Sequence, residues 1–393
     1  MKNRKNRWRL VYLLPLATGI YFKNQLKAKK PWAIVTLTLT LLLILVLVTL
    51  PRLSSGENEA KSLNASPSPT VSPSPSPTPE PTPEPISLTL TFAGDCTLGM
   101  DDYLGYSGSL NEAYDQNGAA YFLQNVKDIF AQDDLTVVNF EGTLTNSDHR
   151  ADKTYAFKGE PGYTDILTSA SVEVANLANN HTQDYGDQGF SDTKAALDTA
   201  HIAHFGFEDT LIMEINGVKV GFTGQFTVYE GPEHLELLQK NIQSLKSQGA
   251  QLIIANFHWG LEKDTTPEAD QIELAHAAID AGAHLVIGHH PHVLQGVEVY
   301  KGRYICYSLG NFCFGGNANP PDYDCMIFQQ TFTLYGDSVE ENDAISIIPC
   351  SVSSSSGVND YCPTPAEGSE QERILEKLRL LSDELGDKNI FDP

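Results

Sequence analysis

Five short apolar runs of this 393-residue chain each end in a side chain able to bind a divalent cation: Asp95, Glu141, Asn180 followed by His181, His258, and the cluster His289, His290, Pro291, His292. Strands of a sheet deliver their ends to one rim, so groups far apart in sequence can converge there. A dinuclear hydrolytic centre needs an anionic group that bridges two ions, neutral imidazoles that complete each shell, and a polar group beside the open position. Asp95, Glu141, Asn180, His258, His290 and His292 supply that inventory. Taken singly, a Gly-Asp after a strand is usually a turn and a lone histidine is usually structural. The recurrence is what reads as a two-metal hydrolytic site.

The elements that must position these groups alternate strand and helix. Residues 86–92 alternate Ser or Thr with apolar residues and open a domain as a strand leading to Gly94 and Asp95. A helix is predicted over 119–131, with Phe122, Val126 and Ile129 on one face, before a strand at 135–138. Residues 172–177 form a strand into Asn179, Asn180 and His181, followed by a helix over 190–200. Asn216-Gly217 joins strands 211–215 and 218–222, because both turn residues tolerate positive φ. Strand 252–257 runs into His258, a helix capped by Thr266 with Pro267 at its first position runs to Gly282, and strand 285–287 delivers the histidine cluster. Ser369 and Glu372 form a capping box before the amphipathic set Ile374, Leu378, Leu381 and Leu385, which Gly386 stops.

Charge divides the chain unevenly. Residues 1–30 hold nine Lys or Arg and no acid, while the other 17 basic and all 50 acidic residues lie beyond, a formal charge of −33. From Trp32 to Leu50 no residue is charged, and 19 residues of helix span about 28 Å, close to a hydrocarbon core. A transmembrane helix is expected over 31–51. Lys27, Lys29 and Lys30 place its N-terminal side in the cytoplasm and the rest of the chain outside. The proline-rich run within 52–85 is a spacer of roughly 60 Å at about 3.1 Å per residue. The six cysteines form no CxxC pair, and disulfides are allowed in an external compartment. The acidic outer part, with no Lys or Arg stripe, speaks against nucleic acid as a partner.

The segments FAGDCTLG at 92–99, VVNFEGTLT at 137–145, ANLANNHTQDYG at 175–186, NFHWGLE at 256–262, VIGHHPHVLQG at 286–296 and YSLGNF at 307–312 resemble, in the same order, those of the bacterial capsule-synthesis family CapA of poly-γ-glutamate biosynthesis. The resemblance implies a metallophosphoesterase-like α/β fold, an αββα sandwich of two packed mixed sheets flanked by helices, over 86–352, with 353–393 as a C-terminal loop and amphipathic helix. It also implies roles: Asp95 on one ion, Glu141 bridging two, Asn180 and His258 on the second, His290 and His292 divided between them, and His181 protonating the leaving oxygen. The ions would be Mn, Fe or Zn. Where the wider superfamily has Asp-x-His, this chain has Asp95-Cys96-Thr97, and its second motif is Asn139-Phe140-Glu141.

Other residues take secondary expectations. Asn139, Glu262, Ser308 and Asn311 are placed around the ligands or the substrate, with Glu262 either a partner that orients a ligand histidine or a solvated loop carboxylate. His289 is a neighbour of the ligands, and His276 and His284 are structural. Cys96 is a soft ligand or a small buried residue, and Lys158 is a surface lysine or an anion contact. Two functions follow: a membrane-anchored external hydrolase or transferase acting on a phosphoester or an envelope polymer, or a non-catalytic factor that helps assemble or export an anionic polymer with its synthesis machinery.

Overall fold

Period-two alternation builds two sheets whose facing sides form the main core. A computed structural model describes residues 84–228, 233–341, 344–386 and 390–391. The basic segment 1–30, the span expected at 31–51 and nearly all of the linker at 52–85 lie outside the described residues. Among the described residues, no helix is long and apolar enough to cross a membrane.

In the first sheet the strands Ile86–Thr97, Leu135–Phe140, Val174–Asn176 and Ala203–Phe205 run parallel in that order. On the other side of Ile86–Thr97, the strands Asp324–Tyr335, Ile345–Ser351 and Thr364–Pro365 follow antiparallel. The second sheet has a parallel centre of Val218–Phe226, Leu252–His258, Leu285–His289 and Arg303–Cys306, closed at its edges by antiparallel Leu211–Ile215 and Val297–Tyr300. Leu90, Phe92, Val137 and Val174 of the first sheet pack on Phe222, Ile254, Ile287 and Val297 of the second. Helices such as Leu110–Asn117 and Gly186–Thr199 cover the outer face of the first sheet. Glu233–Ser247 and Ala269–Ala281 cover that of the second. The layering is helix, sheet, sheet, helix.

Several elements depart from the sequence reading. The expected helix at 119–131 is a 3-10 turn, Ala119–Tyr121, and a separate short helix, Lys127–Phe130. Between them Asn125 Nδ2 donates to Thr364 Oγ1 at 2.8 Å, so the chain turns toward the C-terminal segment and its helical ladder breaks. The helix before the histidine cluster is capped by Glu268 in a reciprocal box with Gln271, not by Thr266, and Gly282 at φ 113° ends it. The last helix, Gly368–Ser382, has Glu367 at its N-cap with no side-chain bond, so the Ser369/Glu372 box does not form. This helix is part of the core, because Ile374 and Leu378 are buried between the sheets. The hairpin forms as expected, with Asn216 and Gly217 at φ 51° and 82°. All six cysteines are buried and free.

Candidate metal centre

The apolar alternation of the inner faces ends in a polar layer at one rim. Two residues past Val137, Val174 and Ile254, the next inward positions are Asn139, Asn176 and Asn256; one step further on the third strand is His258, and two past Ile287 is His289. Asp95 reaches the same layer through a register shift between Ala93 and Asp95. Gly94 permits it: a Cβ there would lie 2.0 Å from Gly310 O, whose carbonyl accepts from Asp95 N at 3.0 Å. His290 and His292 follow their strand at φ 97° and 56°, a conformation L-residues adopt at a cost of order 1–3 kcal/mol. Asn311 Nδ2 donates to His292 O at 3.3 Å and Ser308 Oγ to Val293 O at 2.7 Å, which hold this strained turn.

The six expected ligand residues meet. Asp95, Glu141 and His292 offer donor atoms all within 4.8 Å of one another. His258 Nε2 lies 2.8 Å from Asn180 Oδ1 and 3.0 Å from His290 Nδ1. His292 Nδ1 lies 2.9 Å from Asn311 Oδ1 and 3.3 Å from Asp95 Oδ2. Glu141 stands in the middle: its Oε1 is buried without a hydrogen-bond partner, and the Nε2 atoms of His181, His258 and His292 stand 3.8, 3.7 and 3.9 Å away. These gaps are too wide for hydrogen bonds. They lie within a few tenths of an ångström of donors that share an ion, because two bonds of about 2.0–2.2 Å at about 90–120° put neighbouring donors about 2.8–3.8 Å apart. An orphaned buried carboxylate oxygen facing three imidazoles therefore fits a divalent cation.

Electrostatics agree with that fit. Burial and the neighbouring imidazoles hold His258 well below the usual histidine range, and burial first, then His292, brings His290 down to about 3. Both rings are neutral at pH 7, the form in which an imidazole ligates a divalent cation. Burial pushes Glu141 up to about 7. Burial would also raise Asp95, but the adjacent imidazoles of His289 and His292 outweigh it and hold that carboxyl well below its ordinary value. His292 goes the other way: burial would lower it, and the Glu141 and Asp95 carboxylates raise it to about 10.

A surrounding frame fixes these groups. Asn176 Nδ2 donates to Asn139 Oδ1 at 2.9 Å, and Asn139 Nδ2 donates to Asp95 Oδ1 at 2.7 Å and lies 3.3 Å from His258 Nδ1. His181 is oriented by Asp184, whose Oδ2 is 2.7 Å from its Nδ1, so that Nε2 faces Glu141. Lys153 Nζ donates to Asp184 Oδ1 at 2.7 Å and to Asn180 O at 2.9 Å. Sequence reasoning missed Asp184, Lys153 and Asn176. A carboxylate three residues after His181 was a readable signal for Asp184, whereas nothing local marks Lys153.

Four secondary expectations narrow to one of their alternatives. Glu262 does not orient His258: Gly260 at φ 72° turns the chain out of the strand, Glu262 is exposed, and Asn139 takes the place beside the ring. Ser308 is spent on backbone partners, accepting from Gly310 N at 3.3 Å as well as donating to Val293 O, so it positions the histidine turn and not substrate. Cys96 packs in the core on the helix-covered side of its sheet, and burial pushes its thiol up to about 12. Lys158 pairs with Asp102 at 3.3 Å. Asn311 stays at the site, against His292. His289 Nδ1 stands 3.5 Å from Asp95 Oδ1, and His276 and His284 bind Glu298 and Ile253 N away from the centre.

Fold and centre together define a four-layered mixed α/β protein that gathers acid, amide and imidazole donors at one rim between its sheets. The chain belongs to the family described as "Bacterial capsule synthesis protein PGA_cap", whose family model matches residues 89–316. It is 34% identical over 250 residues to "Capsule biosynthesis protein CapA" of Bacillus anthracis, covering 57% of this chain and 59% of that one. It is also 34% identical over 248 residues to "PGA biosynthesis protein CapA" of Bacillus subtilis strain 168, covering 57% and 62%. The match thus spans about three-fifths of the length of these curated relatives. Among solved structures, "a novel phosphatase" from Mycoplasma pneumoniae matches with a TM-score of 0.43 at 17% identity, over 67% of this chain and 93% of that one. A hypothetical protein from Thermus thermophilus matches with a TM-score of 0.43 at 16% identity, over 67% and 98%.

Proposed function

We propose that this chain is a membrane-anchored external protein of capsule or poly-γ-glutamate biosynthesis that carries a divalent-metal centre for hydrolysis or transfer at a phosphoester or an envelope polymer. The observation that carries the reading is Glu141 Oε1, buried, unpaired and faced by three imidazole nitrogens at 3.7–3.9 Å. Asp95, Asn311 and His292 would hold one side of the metal centre, Asn180, His258 and His290 the other, and Glu141 the middle. Bound divalent ions would supply Lewis-acid activation of water and stabilise charge on the attacked centre. The chain's own residues do the rest. Asn139 and Asn176 fix Asp95, Asp184 orients the ring of His181 through Nδ1, and Nε2 of the doubly protonated ring would give a proton to the leaving oxygen.

A second reading, a polymer assembly or export factor without turnover, draws on Asp95-Cys96-Thr97, where the wider superfamily places a further histidine. Metal analysis of the full chain, followed by a panel of phosphoesters and γ-glutamyl peptides, separates the two. Turnover that His181→Ala abolishes at unchanged metal content supports the enzyme. Full metal content with no turnover on any member supports the assembly role, and absence of metal at any pH refutes both forms of the centre.

A further inference from the structure

The geometry points to a substrate whose leaving alcohol is apolar: a phosphoester that places its phosphoryl group at the acid and imidazole cluster and its hydrocarbon part in an adjoining aromatic groove. This rests on the phosphoester reading above and narrows it. A cavity of about 370 Å³ opens directly from the centre, within the range of about 300–1,000 Å³ typical of small-ligand sites. Its walls start at the centre's own rings, with Phe157 4.5 Å from the ring of His181 and Phe314 5.2 Å from that of His292. They continue through Leu104, Tyr155 and Tyr361 and the backbone of Gly315 and Gly316.

Charge argues against a polyanion there. Apart from the two imidazoles, the charged side chains lining the groove are Glu262 and Lys263, which cancel. Along the groove beyond the centre a run of carboxylates would meet no net counter-charge, against a strongly acidic chain. Apolar surface gathers at the same mouth. Of the nine large hydrophobic residues exposed among the described residues, Leu104 and Tyr155 line the groove, Tyr103 and Tyr106 flank Leu104 on its loop, and Leu261 adjoins Glu262. Exposed apolar residues scattered singly need no explanation, but a cluster at a site mouth marks a binding surface. In the reaction, water forms a new P–O bond, the P–O bond to the apolar alcohol breaks, His181 gives its proton to that oxygen, and the proton of the water leaves to solvent.

The test is binding, with non-hydrolysable alkylphosphonates from methyl to octyl titrated calorimetrically into the manganese-loaded full chain. Burial of each methylene is expected to tighten binding about fourfold until the groove is full. In Leu104→Ser/Tyr155→Ser, whose exposed side chains are not needed for folding, that slope should fall by at least half. An affinity independent of chain length, or an equal slope in the variant, overturns the assignment. A second arm uses anilinonaphthalene sulfonate fluorescence after EDTA. If no phosphonate binds at all but the dye signal is present in the wild type and lost in the variant, the metal-centred function fails and the apolar groove stands. Equal dye signals in both overturn the groove.

Discussion

Replacing Glu141 by glutamine changes the centre at the atom where three imidazoles converge and keeps the shape of the side chain. In the wild type, a divalent ion at a free concentration of about 100 times its Kd stabilises the folded state by about 2.7 kcal/mol. If loss of the central anion weakens binding about 100-fold, the same concentration gives the variant only about 0.4 kcal/mol. Residues 79–393 form one compact unit, and at about 2.1 cal/mol/K per residue its unfolding entropy is about 0.66 kcal/mol/K. Manganese should therefore raise the wild-type Tm by about 4 °C and that of Glu141→Gln by less than about 1 °C. The assay is thermal unfolding followed by circular dichroism, with and without metal after EDTA treatment, and each protein serves as its own reference. Asp184→Asn is the control, since Asp184 touches His181 on the side away from Glu141. Its metal-dependent rise should stay near 4 °C whatever its starting Tm. An equal rise in Glu141→Gln and wild type would refute the placement of a cation among these imidazoles.

Asp184→Asn and His181→Ala should each lower kcat on any phosphoester turned over by about 10²–10⁴-fold with metal content intact, as checked by kinetics beside elemental analysis. Asp324, nearly buried, accepts from Arg373 at 2.9 Å and Lys377 at 2.8 Å and ties the last helix to the first sheet. With both cations partly exposed, Asp324→Asn should cost about 2 kcal/mol in denaturant unfolding at pH 7. Burial raises the Asp324 carboxyl, but Arg373 and Lys377 outweigh that and lower it below its ordinary value. Its contribution is therefore complete above the unfolded pKa of about 3.9 and fades as pH falls through the lowered folded value, so the deficit of the variant should shrink only in strong acid. The six buried thiols should resist alkylation in the native protein and react together once it is unfolded; a thiol that reacts in the native state would contradict the packing.

The six metal-type residues were legible because they gather at or just beyond strand ends, where the apolar run gives way to polar residues: Glu141 and His258 keep the two-residue period past Asn139 and Asn256, while Asp95 sits at a register shift and the others in turns. What was not legible depends on contacts between segments. Asn125 breaks a helical pattern because Thr364, far along the chain, offers it a partner. Glu268 takes over the cap expected of Thr266 because Gln271 completes the reciprocal bond. Lys153 reaches the back of Asp184 from a loop whose own sequence carries no periodicity, so only the fold reveals it. Glu262 shows why spacing left two readings open: four residues along a strand would put it near His258, but Gly260 turns the chain away and leaves it a solvated carboxylate.

Kinship in sequence and autonomy in folding end at different places in this chain. The family match stops at residue 316, yet the strand Asp324–Tyr335 zips along residues 86–92 and lays Phe328, Phe332 and Leu334 beside them. Cut at 316, the opening strand would lose one flank of its ladder, and Leu88, Leu90 and Phe92 would meet water beside a row of unsatisfied amides, the situation that drives sheets to stick to one another. The family-matched portion thus supplies most of the core but leaves its first sheet unfinished without the strands beyond residue 316, and a fragment trimmed to that match should precipitate instead of folding.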